Sequence, residues 1–181
     1  MKKLPVSTRY ARALSDMAYR DKLEDVIMKD IDYILKVIKS SKELVLLIKS
    51  PIISNHKKKA IMSEIFVNNV SPLMSEFLIL LVNKSRESLI WDIFDNFKQE
   101  YYEVHNMLPV VISSVHTMND ELKELTISKI HEITNKTILP EFKIEKDIIG
   151  GFKIQFTDII IDSSIRTKID KLHKHLLMAE N

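Results

Sequence analysis

Apolar residues recur with a helical period through the first part of the chain. Tyr10, Leu14, Met17 and Ala18 stand at i, i+4, i+7 and i+8, which is the spacing of an amphipathic helix. A second run with the same period follows a group of acidic residues, which suit the positive end of a helix dipole. Its apolar members are Leu23, Ile27, Ile31, Ile34, Leu35 and Ile38. The pattern therefore predicts helices over residues 6–19 and 23–39.

Two shorter helices are predicted next. The third covers residues 44–48 and ends before Pro51, because the residue that precedes a proline is disfavoured in helical geometry. Ser54 or Asn55 is suited to cap the fourth helix. The residues that we expect this fourth helix to bury are Ala60, Ile61 and Ile65.

Ser71 and Pro72 mark the start of a fifth helix, since serine is preferred at the cap and proline at the first helical position. Its expected core stripe is Leu73, Phe77, Leu80 and Leu81. A sixth helix is predicted after Ser88. Its inward residues are expected to be Leu89, Ile93, Phe94, Phe97 and Tyr101. Six helices on short connections predict an N-terminal six-helix bundle over residues 1–105.

The pattern changes beyond residue 106. Residues 107–115 are rich in β-branched side chains and lack a helical period, as is typical of a strand. A helix capped by Asn119 or Asp120 should follow, with Leu122, Leu125, Ile130 and Ile133 facing inward. Three more strands are predicted near residues 142–145, 152–156 and 159–161. A final helix should begin at residues 162–164 and carry Ile165, Ile169, Leu172 and Leu176.

These elements form a small β-α-β-β-β-α domain over residues 106–181, and the fold class is α+β, mostly α. The chain contains 45% hydrophobic and 29% charged residues, which is typical of a packed protein. It contains no cysteine, which excludes thiol catalysis and thiolate zinc sites. No stretch reaches the roughly 18 apolar residues of a membrane span. We therefore expect contact with a membrane only indirectly, through a partner.

Candidate catalytic and cofactor motifs are weak. Gly150 and Gly151 lack the further glycines of a phosphate-binding loop and are expected to form a turn or a bulge at the entry to the strand. His173 and His175 lie two residues apart, so on a helix they point to different faces and cannot chelate one ion. No serine stands in a G-x-S-x-G motif. The sequence predicts no cofactor, no metal and no enzyme, although a triad assembled by folding stays open.

Lys57, Lys58 and Lys59 form the clearest basic cluster. Clustered ammonium groups bind polyanions by releasing counterions, so the alternative function is a helical nucleic-acid-binding or adaptor protein. The competing interpretation is an ordinary solvated helix face. We favour the solvated face and no nucleic acid, because the net charge is only +2 and no aromatic residues interleave with the lysines. Trp91 is expected to be partly buried between helices.

Five segments of the chain resemble a known family. They are RYARAL at residues 9–14, PII at 51–53, NKSR at 83–86, GGFKI at 150–154 and DIIIDSSIR at 158–166. In order and position they resemble the delta subunit of bacterial F-type ATP synthase, a homologue of the mitochondrial oligomycin sensitivity conferral protein. The resemblance implies a six-helix bundle followed by a small α/β domain, in agreement with the hydrophobic pattern.

The resemblance also implies a function. The protein would be a non-catalytic stator subunit that links the catalytic head to the peripheral stalk, so that proton-driven rotation is coupled to ATP synthesis. Its bundle would bind the N-terminal helix of an alpha subunit, and its C-terminal domain would bind the b subunits of the stalk. It would lie on the cytoplasmic face of the cell membrane as a peripheral protein. The expected groove residues, on helices one and five, are Tyr10, Leu14, Met17, Phe77, Leu78 and Leu81.

Overall fold

The computed structural model describes residues 5–145, 148, 150–156, 159–162, 164, 165, 167 and 169. Most of these residues are helical, and a small four-stranded sheet accounts for the regular structure of the rest. The predicted α+β class with mostly helical content is therefore confirmed. The chain divides into two compact units, Met1–Tyr101 and Tyr102–Asn181.

Six α-helices precede the first strand in the part of the chain that the structure describes. They are α1 (Pro5–Asp21), α2 (Glu24–Ser40), α3 (Lys42–Lys49), α4 (Asn55–Phe66), α5 (Pro72–Asn83) and α6 (Ile90–Val104). The start of α5 is the one the sequence predicts, since Ser71 accepts a hydrogen bond from the Met74 N–H at 3.3 Å. The predicted cap of α6 is wrong: Ser88 lies inside a short 3₁₀ turn, Glu87–Leu89, and α6 begins directly after it.

The first unit buries the apolar stripes of its helices. Its fully buried large side chains are Leu14, Ile27, Ile31, Ile34, Ile38, Ile48, Phe66, Met74, Leu81, Ile90, Phe94 and Phe97. These residues recur every three or four positions within α2 and α6, as a helical core stripe requires. In these two helices, the residues that carry the hydrophobic period of the sequence are thus the residues that form the core.

The predicted inward face of α4 is wrong. Ala60 is exposed, and Ile61 and Ile65 are only half-buried. The helix instead buries Met62 and Phe66, together with Lys58. Phe66 packs edge-on against the Tyr33 ring of α2, with 6.5 Å between ring centroids. Met62 and Phe66 stand four residues apart and so lie on one face of the helix, which is the face that packs inward.

The core stripe of α5 also differs in part from the prediction. Leu80 is 41% exposed, and Leu73 is only half-buried. The buried residues of this helix are Met74, Phe77, Leu78, Leu81 and Val82. The inward face is therefore rotated away from Leu80, which leaves one large aliphatic side chain on the surface of α5.

The elements of the second unit whose bounds lie within its described part are one helix and four strands. The elements are β1 (Met107–Ser114), α7 (Asp120–Thr134), β2 (Thr137–Ile144), β3 (Phe152–Phe156) and β4 (Ile159–Asp162). The strand order is β2-β1-β3-β4, with β1 parallel to β2 and antiparallel to β3. Strand β4 pairs with β3 and forms one edge of the sheet. Of the predicted last helix, Ile165 and Ile169 are helical, whereas Leu172 and Leu176 lie outside the described residues.

One face of the sheet carries the core of the second unit. Leu108, Val110 and Ile112 alternate along β1 and pack with Ile138, Ile154 and the α7 residue Ile130. The predicted inward face of α7 is correct only at Ile130. Leu122 and Leu125 are half-exposed, and Ile133 is 82% exposed. The helix buries Thr126 instead, whose hydroxyl donates to the Leu122 carbonyl at 2.7 Å and so loses no hydrogen bond on burial.

Candidate partner-binding surfaces

Helix α1 is fixed to α6 by two buried or half-buried polar contacts. Asn96 Nδ2 donates to Ser7 Oγ at 3.3 Å, and Ser15 Oγ donates to Glu100 Oε2 at 3.0 Å. These contacts hold one side of α1 against the unit and leave the opposite side exposed, as the residues Arg9, Arg12, Ala13 and Met17 show.

The six residues that the sequence predicts for a helix-binding groove fall into two groups. Met17 is 38% exposed and Tyr10 is half-buried, so both can contact a partner. The others, Leu14, Phe77, Leu78 and Leu81, are buried in the first unit. Leu80 on α5 is the accessible apolar residue that the sequence assigned to the core. Leu80 directly precedes the buried Leu81 and lies at the edge of the core stripe. At such a position the hydrophobic period alone does not show whether a side chain is buried or exposed.

Helix α6 is also tied to α2. The Tyr101 hydroxyl donates to Asp25, and Lys98 forms an ion pair with Asp32. The bond to the Asp25 carboxylate, together with burial, raises the pKa of Tyr101 to about 12. Further along α2, the Asp30 carboxylate accepts the Ser71 N–H at 2.9 Å. Contacts from α6 and from the start of α5 therefore fix α2 at several points along its length.

The three lysines of α4 do not form one solvated face. Lys57 and Lys59 are exposed, but Lys58 is only 2% exposed and forms a buried ion pair with Glu87. Lys58 precedes Met62 and Phe66 at i, i+4 and i+8, so it lies on the inward stripe of the helix. The expectation of a solvated face is wrong at this residue, and a charge that the polyanion-binding alternative counted is not on the surface.

Trp91 is half-buried, as predicted, and the Lys49 ammonium lies 5.3 Å from the centroid of its ring. This distance is within the range of a cation–π interaction. The contact links the end of α3 to the start of α6. Like the polar contacts of α6 with α1 and α2, it holds helices of the first unit together.

An apolar groove runs beside α7 in the second unit. It has a volume of about 750 Å³, and its apolar lining includes Leu122, Leu125, Ile133, Phe152, Ile154 and Ile161. Gly150 and Gly151 lie at the groove, and Gly151 has a φ of 85°, which confirms the predicted turn. The half-exposed leucines of α7 are therefore one wall of a groove whose floor is β3 and β4.

The described residues contain no group of histidine, aspartate and glutamate side chains placed to hold a metal ion. His131 contacts the Lys136 carbonyl at 2.7 Å, while His173 and His175 lie outside the described part of the chain. Among the helices that the structure describes, none is long and apolar enough to cross a membrane. Accessible apolar side chains occur on α1, on α5 and in the groove beside α7.

A helical unit and a small α/β unit, each with accessible apolar side chains, have the architecture of a subunit that binds other chains. The family model of the ATP synthase delta (OSCP) subunit matches residues 6–176. The chain belongs to this family. Family membership confirms the resemblance seen in the sequence and supports the role of a stator, a structural subunit of ATP synthase; it gives no support to the nucleic-acid alternative.

Individual relatives agree with the family assignment. ATP synthase subunit delta of Clostridium botulinum (strain Loch Maree / Type A3) is 30% identical over 172 residues, which cover 95% of this chain and 96% of the relative. The protein of the same name from Chlorobium phaeobacteroides (strain BS1) is 30% identical over 174 residues, 96% of both chains. A chain of the Toxoplasma gondii mitochondrial ATP synthase hexamer shares the fold, with a TM-score of 0.77 at 18% identity over 96% of this chain and 98% of that chain.

Proposed function

We propose that this chain is the stator subunit that joins the catalytic head of an ATP synthase to its peripheral stalk. The observation that carries the proposal is the family match across residues 6–176. The chain itself performs no catalysis in this role. Its task is to hold the head still while the rotor turns, so that proton-driven rotation is converted into ATP synthesis.

The mechanical task sets physical requirements. A rotor that turns inside the head drags the head with it unless the head is attached to the static membrane part. The attachment must dissociate slowly, and two moderate binding sites in one chain achieve this through their high effective concentration. The contacts from α6 to α1 and α2 supply rigidity in the first unit, because they fix the helices to one another at both apolar and polar positions.

The first unit binds the head in this proposal. An amphipathic N-terminal helix of an alpha subunit lies along α1 and α5 and contacts Tyr10, Met17 and Leu80, which are accessible. The remaining residues of the predicted groove are buried in the first unit and do not contact the partner directly in this proposal. They are Leu14, Phe77, Leu78 and Leu81. Such a site is a helix-in-groove contact, in which apolar anchors at helical spacing provide the affinity.

The second unit binds the b subunits of the stalk. The apolar lining of the groove beside α7 suits an apolar helix face, and the exposed Ile133 and half-exposed Leu125 offer anchors for it. Through this contact the protein is held at the cytoplasmic face of the cell membrane as a peripheral subunit. Its link to the membrane is then indirect.

Single substitutions can test the head contact. Met17→Glu places a carboxylate on the proposed interface, and we expect it to weaken binding to the purified alpha and beta subunits by about tenfold or more, because an apolar contact is lost and a charge is desolvated. Leu46→Glu is the matched control, since Leu46 on α3 is 68% exposed and outside the proposed site. Equal binding by wild type and the Met17 variant would remove α1 from the interface.

The stalk contact has its own test. Ile133→Glu should abolish binding to the soluble part of the b subunits and leave head binding unchanged, whereas Ile144→Glu, at an exposed position of β2 outside the groove, should leave both unchanged. Binding can be measured by co-sedimentation and calorimetry. Retention of b-subunit binding by the Ile133 variant would show that the stalk binds elsewhere on the chain.

A further inference from the structure

Two segments of the first unit meet and bring four exposed cations to one corner. Asn55 Nδ2, at the start of α4, donates to Ser85 Oγ in the α5–α6 connection at 2.9 Å. Next to these two residues, Lys57 and Lys59 on one segment and Lys84 and Arg86 on the other are exposed. We define these four side chains as the basic corner.

The carboxylate that could neutralise the basic corner is buried. Residues 54–60 and 83–88 contain five cationic side chains and one carboxylate, which leaves a net charge of +4, whereas the whole chain has a net charge of +2. The carboxylate belongs to Glu87, whose side chain is only 7% exposed and is paired with Lys58. The inward ion pair therefore removes the acid from the surface and leaves the four outer cations without an offsetting charge in these segments.

The basic corner is also held in shape. The buried ion pair and the Asn55–Ser85 hydrogen bond fix its two segments to each other. On the chain just before α4, Ile52 is 92% exposed, and its backbone N–H is bound to Ser50 Oγ at 3.3 Å. Ile52 lies three positions before Asn55, so their Cα atoms lie within about 11 Å. Because the backbone of the two segments is already fixed, binding has to order only the exposed side chains.

We propose that the basic corner binds a carboxylate-rich surface of the catalytic head, with Ile52 as its apolar contact. The inference rests on the proposed stator function and adds a second, electrostatic contact to the one at α1 and α5. A protein partner follows from the proposed stator function, and the exposed Ile52 beside the cations gives such a partner an apolar contact as well as a charged one. Complementary charge at such a site mainly raises the rate of association.

Charge reversal tests the proposal. The double variant Lys57→Glu/Arg86→Glu should bind the purified head about tenfold more weakly than wild type at low salt, mainly through a slower association rate. The difference should shrink at high salt, because screening removes the attraction. The matched control is Lys36→Glu/Lys39→Glu, which makes the same charge change at exposed positions of α2. It should retain wild-type association within about twofold.

The outcomes separate this inference from the proposed function. Equal loss in both double variants would overturn the basic corner, since net charge alone would explain it, and so would unchanged binding by the Lys57/Arg86 variant. Binding of an RNA oligonucleotide or of vesicles with anionic lipids that is lost in this variant, while head binding persists, would also overturn it. If wild type itself fails to bind the head, the stator function fails and the basic corner with it.

Discussion

At the scale of single residues, the Lys58–Glu87 pair shows how one lysine of three can differ from its neighbours. Both side chains are almost completely buried, so each has lost its hydration and depends on the other. A buried charge that loses its partner is costly, whereas replacement of the whole pair by apolar side chains of similar size can be nearly neutral. Replacement of Lys58 or Glu87 alone should therefore cost more stability than replacement of both.

Lys58→Ala should lower the free energy of unfolding by roughly 3 kcal/mol, because Glu87 would remain buried without a counter-charge. The double variant Lys58→Met/Glu87→Leu should cost less than the single one, since no uncompensated charge remains. Urea unfolding followed by circular dichroism measures both. A double variant as unstable as Lys58→Ala would mean that packing, and not charge, is responsible.

Tyr101 gives a prediction about pH. Its hydroxyl donates to Asp25, and its pKa in the folded protein is raised from 10.0 to about 12. The raised pKa stabilises the fold fully below pH 10, and this contribution is lost as the pH rises through about 12. Tyr101→Phe should cost about 1 kcal/mol at pH 7. Unfolding midpoints at pH 7, 9 and 11 should show the gap between wild type and variant narrowing only above pH 10.

At the scale of elements, the starts of helices follow from local chemistry. Ser71 caps α5 through the Met74 N–H and stands before Pro72, so the sequence alone predicts where this helix begins. Ser88 carries the same side chain before α6 but makes no cap hydrogen bond there, because a 3₁₀ turn replaces the first turn of the predicted helix. Serine indicates a helix start only when the backbone after it is free to become α-helical.

The two serines form a matched pair for experiment. Ser71→Ala should lower the free energy of unfolding by about 1 kcal/mol, since an N–H at the start of α5 would lose its partner. Ser88→Ala should change it by less than about 0.5 kcal/mol, because this serine is exposed and caps nothing in the described structure. Thermal unfolding of both variants measures the difference, and equal losses would refute the assignment of the cap.

Which face a helix buries is harder to predict than where it lies. On α4 the sequence offers two apolar sets, Ala60, Ile61 and Ile65 on one side and Met62 and Phe66 on the other. The helix buries the second set, and Lys58 is buried with it because it lies on the same stripe. A lysine becomes an inward residue only when a carboxylate from another element meets it, and the sequence does not show that Glu87 does so. On α7, Thr126 is acceptable inside because its hydroxyl bonds to the helix backbone.

At the scale of the whole molecule, the described buried residues of the first unit belong to its six helices, apart from Glu87 in the 3₁₀ turn. We expect a chain of residues 1–105 to fold alone, because this unit has a hydrophobic core of its own. Circular dichroism should show a helical spectrum and a single cooperative thermal transition. A broad, non-cooperative transition would mean that the first unit depends on the second for its stability.

The candidate surfaces were less predictable than the family. Short motifs spread along the chain identify the family, since they depend on residue identity alone. The groove beside α7 is lined by Leu122 and Ile133, which the sequence predicts to lie in the core and which the structure leaves exposed. The basic corner depends on the pairing of residues 29 positions apart in the chain, Lys58 and Glu87. Contacts between distant segments are set by tertiary packing, which a hydrophobic period does not encode.

Strand β4 places three isoleucines, Ile159, Ile160 and Ile161, at the edge of a sheet, and all three are about half-exposed. An edge strand with β-branched side chains can pair with the same strand of another molecule. Inside a complex this encounter is rare, because each copy is kept apart from the others. Free in solution, the rate at which two copies meet grows with the square of their concentration. A surplus of the subunit over its assembly partners therefore favours aggregation through β4.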